Sequence, residues 1–70
     1  MLFTDVSTDR AVRALIKEGF RVAREGKHIV LRDRQQIVTL PRTKRLNPYT
    51  LRSALRSAGI DDDTFKRLLR

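Results

Sequence analysis

The sequence predicts an α+β domain: a three-stranded antiparallel sheet with two helices packed on one face and a short third helix at the C-terminus, in the order α-β-β-β-α. Three observations carry this. Apolar residues recur at helical spacing from Thr8 to Glu18 and again after Asn47-Pro48, and capping residues and glycines bracket both blocks. Between the blocks the period changes to alternation, in three short β-rich runs separated by polar turns. No repeat, low-complexity tract or linker interrupts the 70 residues, so residues 1–70 read as a single domain.

Each element has a local reason. Ser7 or Thr8 caps a first helix, Thr8 to Glu18, in which Asp9 sits in the first turn and Val12, Leu15 and Ile16 recur with Ala11 on one side. Gly19 supplies its left-handed stop, and Arg10, Arg13 and Lys17 occupy its wet face. Phe20 and Val22 alternate with Arg21 and Ala23 in a first strand. Glu25-Gly26-Lys27 forms a turn, where Gly26 is expected at positive φ, and His28-Ile29-Val30-Leu31-Arg32 is the second strand. After the polar Asp33-Arg34-Gln35, Gln36 to Leu40 is the third strand, which Pro41 ends by withholding a ladder donor. Asn47 caps the second helix with Pro48 at its first position, Leu51, Ala54, Leu55 and Ala58 form its buried stripe, and Gly59 ends it. Ile60 folds back on that helix. Asp61 caps the last one, with Asp62 and Asp63 at its positive dipole end and Phe65, Leu68 and Leu69 as its apolar contacts.

Two helices on one sheet face leave the other face open. Alternation puts Ile29 and Leu31 toward the helices and His28, Val30 and Arg32 toward solvent or a ligand.

A chain this short buries only about 60% of the surface it exposes when unfolded, so packing or a partner has to supply the rest of its stability. With no Cys, disulfides and thiolate metal sites are excluded, and one His builds no zinc site without several converging carboxylates. Neither a metal nor another cofactor is expected. The start, Met1-Leu2-Phe3-Thr4-Asp5, lacks the basic residues and apolar run of a signal peptide, and no apolar run is long enough to span a bilayer. The expectation is a soluble cytoplasmic protein with no membrane partner.

The formal charge is +8, and it is unevenly placed. Residues 1 to 33 carry seven basic and five acidic side chains, and residues 61 to 70 three of each. The remaining +6 lies between Arg34 and Ile60, where Arg34, Arg42, Lys44, Arg45, Arg52 and Arg56 stand with no acid among them. Such partition points to a polyanion such as nucleic acid, although an acidic protein partner would use the same patch.

The element order, the Gly26-x-His28 turn, the Pro41-Arg42 exit from the third strand and the Thr50-Leu51-Arg52 start of the second helix together resemble the HicA family. These are small messenger-RNA-cleaving toxins of bacterial toxin-antitoxin pairs, with a fold similar to the double-stranded-RNA-binding domain. The resemblance spans Val12 through Gly19-Phe20 to Ala58-Gly59 and Phe65. It implies that His28 is catalytic and that a HicB-type antitoxin is the partner. The family pattern usually reads Gly-Ser-His, often with a second His; here Lys27 replaces the Ser, Ile29 the second His, and Tyr49 stands where Gly is common.

The residues support the same chemistry on their own terms. Cleavage of RNA through its 2′-hydroxyl needs a proton removed there and one delivered to the leaving oxygen, which suits imidazole near neutral pH. Lys27 and Arg32 flank His28 as phosphate ligands, and one His without a metal cluster suggests a metal-independent ribonuclease. Arg52 and Arg56, four apart on one helix face, track a phosphate backbone with Arg42, Lys44 and Arg45 upstream, and Tyr49 either stacks on a base or packs over the helix start. Two other readings stay open: a non-catalytic RNA-binding module of double-stranded-RNA-binding type, and an inactive toxin relative that acts as a protein-interaction domain.

Overall fold

The computed structural model describes residues 2–70; Met1 of the leader reading lies outside the described residues. In chain order the elements are α1 (Thr8–Glu18), β1 (Arg21–Glu25), β2 (His28–Arg32), β3 (Ile37–Pro41), α2 (Pro48–Ala58) and α3 (Asp62–Leu68). The sheet runs β1-β2-β3, each neighbouring pair antiparallel. This is the α+β architecture that the sequence predicts.

Local chemistry sets the helix ends. Ser7 is the cap of α1, its hydroxyl accepting from the Arg10 amide, and Gly19 stops the helix at φ 113. Asn47 caps α2 by accepting from the Tyr49 and Thr50 amides, Pro48 opens it, and Gly59 ends it at φ 71. Asp61 caps α3 by accepting from the Thr64 amide. Thr8, the alternative cap for α1, is instead buried: its hydroxyl donates to the Pro41 carbonyl (2.6 Å) and accepts from the Thr43 amide (2.9 Å).

Ile29 and Leu31 of β2 and Val38 and Leu40 of β3 turn toward the helices and are buried. With Leu15, Phe20, Leu46, Leu51, Leu55 and Phe65 they belong to one apolar cluster, against which Phe3, Val12, Leu68 and Leu69 pack. The Phe3 ring meets Phe65 edge-on at 5.0 Å.

Four expectations need correction. Ile16 is 49% exposed, because it lies about 100° round the helix from Leu15, and Ala14 faces the core in its place. Phe20 is buried ahead of β1 rather than within it; all five β1 residues are exposed, so that strand has no apolar face. The third strand is Ile37–Pro41 rather than Gln36 to Leu40: Gln36 falls outside it, and Pro41 keeps a carbonyl and pairs opposite His28 although it has no N–H to give. Gly26 is not among the positive-φ residues; Asp5, at φ 57, is.

Candidate functional site

His28 is the first residue of β2 and is exposed on the sheet face that the helices leave uncovered. Ile29 and Leu31 are buried on the far side, so His28, Val30 and Arg32 share the open face, as alternation requires. His28 lines a shallow cleft of about 370 Å³ with Arg24, Gly26, Lys27 and Val30.

The seven expected RNA ligands do not form one surface. Lys27 shares the cleft with His28. Arg32 is on the same face at the opposite end of β2, about 13 Å along the strand, where it lines a second cavity with Arg21, Asp33 and Arg34. A single phosphate does not bridge His28 and Arg32. Arg42 is tied to the hairpin: its Nε donates to the Gly26 carbonyl (2.7 Å) and its guanidinium meets Glu25 at 3.4 Å. Arg45 pairs with Asp5 at 2.8 Å. Lys44 lines, together with Arg42, a cleft beside Ser7, Thr8 and Asp9 at the start of α1. Arg52 and Arg56 border a cleft with Asp61 and Asp62 at the start of α3.

The stretch from Arg34 to Ile60 contains no acid, yet the fold brings acids to it from outside: Glu25 to Arg42, Asp5 to Arg45, and the Asp61 end of α3 to Arg52 and Arg56. The amides at the start of α2 are likewise used, because Asn47 accepts from two of them. Tyr49 is 66% exposed, which leaves the ring open rather than packed over the helix.

Two basic residues that share the His28 face come from β1 and were not singled out from the sequence. Arg24 is the Cα partner of Val30, and Arg21 that of Arg32. Among the described residues, none of Arg21, Arg24, Lys27 and Arg32 has a carboxylate at ion-pair distance. Arg21 directly opposite Arg32 is a like-charge cross-strand pair, an arrangement that weakens a sheet unless an anion lies between the two. Among the described residues, no three His, Cys, Asp or Glu side chains gather where a metal ion would bind.

The exposed imidazole in a basic hairpin cleft gives the sequence resemblance a structural counterpart. A family profile described as "HicA toxin of bacterial toxin-antitoxin" matches residues 8–60. The chain belongs to the HicA toxin family. No curated protein and no solved structure matches it. The HicA match begins with α1 and ends just after α2, so it takes in the whole sheet and His28 but not α3. It makes the protein a toxin of a toxin-antitoxin pair. Among the described residues, no helix is long and apolar enough to cross a membrane.

Proposed function

We propose that this HicA toxin is a messenger-RNA endonuclease in which His28 moves the proton of a metal-independent strand cleavage. The observation that carries the reading is His28 itself, exposed in a cleft with Arg24 and Lys27 on the uncovered sheet face. The His28 imidazole takes the proton of the 2′-hydroxyl. The O2′–P bond forms as the P–O5′ bond breaks, water gives the leaving O5′ its proton, and the hydroxide left takes the proton held on the imidazole, so a 2′,3′-cyclic phosphate and a 5′-hydroxyl result. Lys27 offsets charge on the phosphate oxygens as it builds up. Arg32 grips the RNA further along the strand. The reaction runs in the cytoplasm, where messenger RNA is translated.

A HicB-type antitoxin is the partner this reading requires. Seated over the open sheet face, it would cover His28 and neutralise the arginines around it. It would also add stability to a domain whose own core is small.

The test is induced expression of the wild-type protein and of His28→Ala, followed by growth and RNA integrity, with the purified proteins assayed on RNA in the presence of a chelator. Wild type should arrest growth and leave cyclic-phosphate ends, and His28→Ala should do neither. Equal toxicity or equal cutting by the two proteins would overturn the reading. RNA binding without cutting by either would favour a non-catalytic binding module.

A further inference from the structure

We propose that Arg24 is the second phosphate-binding residue of the cleavage site, and that an irregularity in β1 brings it there. The proposal rests on the reading of His28 as the cleaving residue. The registers of β1 and β2 carry the argument. Val22 pairs with Leu31, but Arg24 rather than Ala23 pairs with Val30, so two β1 residues oppose one β2 residue and the ladder bulges at Ala23.

Without the bulge, strict alternation from Val22 would pair Ala23 with Val30, Arg24 with Ile29 and Glu25 with His28. The arginine would then lie on the helix side, and a carboxylate would stand beside the imidazole and repel the phosphate. The bulge reverses both outcomes. Arg24 joins Val30 and His28 on the open face, and Glu25 pairs with buried Ile29. Arg42 adds to the exclusion, because its ion pair with Glu25 at 3.4 Å occupies the carboxylate next to Arg24 in the chain. Arg42 thus acts on the site by neutralising that carboxylate.

Strand spacing puts the Arg24 and His28 Cα atoms about 8 Å apart, across one strand and two residues along. Both side chains therefore reach one phosphate group between them. A guanidinium presents two parallel N–H groups to two non-bridging phosphate oxygens, the geometry that stabilises charge gathering there as O2′ attacks. Among the described residues, no carboxylate competes for Arg24.

The experiment compares Arg24→Ala, Arg24→Lys, His28→Ala and, on the wet face of α1, Arg13→Ala. Cleavage by Arg24→Ala should fall on the order of a hundredfold, as for loss of one charge-stabilising donor. Arg13→Ala should cut at the wild-type rate. Binding is measured in the His28→Ala background, where RNA stays intact. Adding Arg24→Ala there should flatten the slope of log affinity against log salt by about 0.7, the value for one phosphate contact on a single strand. Arg24→Lys should restore that slope but not the rate, because an ammonium keeps the charge and loses the fork; its recovery of binding also excludes misfolding as the cause. If His28→Ala is inactive while Arg24→Ala cuts as well as Arg13→Ala, the Arg24 assignment falls and the His28 reading stands. If His28→Ala cuts normally, the His28 reading itself falls.

Discussion

Thr8 ties α1 to the segment leaving β3 from a single buried position. Its hydroxyl donates to the Pro41 carbonyl and accepts from the Thr43 amide, and its own amide donates to the Thr43 carbonyl at 3.0 Å. Thr8→Val keeps the shape and deletes the first two of these bonds, leaving a carbonyl and an amide unpaired at the edge of the core. The expected cost is about 1–3 kcal/mol, read as a lowered midpoint in thermal or urea unfolding. Residues of this kind explain what the sequence withheld. Ser7, Asn47 and Asp61 act on amides two or three residues away, so their roles are written in local spacing. The pairings of Arg42 with Glu25 and of Arg45 with Asp5 join residues 17 and 40 positions apart, and no window of sequence contains both partners. The basic segment from Arg34 to Ile60 therefore looked like one patch. In three dimensions its side chains serve four places, and the cations beside His28 come from the hairpin instead.

At the scale of elements, the helices were legible to their ends, and β1 was legible as a strand but not in its register. Both longer helices carry a polar cap, an apolar stripe and a terminal glycine, and these agree with one another about where the helix begins and ends. β1 has no such agreement: its residues are all exposed, and its register depends on a bulge that only pairing with β2 defines. α3 adds a pH-dependent element. The Thr64 amide and hydroxyl, hydrogen-bonded to Asp61, hold that carboxyl below its usual pKa, and Arg67 adds to the effect. A depressed native pKa means that the cap stabilises the fold at pH values above the unfolded carboxyl's own pKa, and that its contribution fades as pH falls from about 4 through the lower native value. Asp61→Asn keeps a capping oxygen and removes the charge. The melting temperature of that variant should fall less than that of wild type on acidification from pH 5 to 3, and identical pH profiles would refute the role.

For the whole molecule, stability is narrow. At the usual 0.05–0.15 kcal/mol per residue, 70 residues give about 4–10 kcal/mol in total. Phe65 is fully buried, and removal of such a ring to Ala costs about 3–5 kcal/mol. Phe65→Ala should therefore lose about a third or more of that total, read as a lowered melting midpoint by circular dichroism, and a ligand that binds only the folded state should recover it. A native-like melt for the free variant would contradict that account.

Phe65 also lies beyond residue 60, where the HicA match stops. Its partner Phe3 lies ahead of residue 8, and Lys17 of α1 donates to the carbonyls of Leu68 and Arg70. The C-terminal end therefore ties to α1, and the N-terminal end to α3, from outside the matched span. A fragment trimmed to residues 8–60 would keep His28, the bulge and the whole of the matched span, yet it would lack the ring that seals its interior. Kinship and foldability have different borders in this protein, and a minimal toxin drawn from the first would fail on the second.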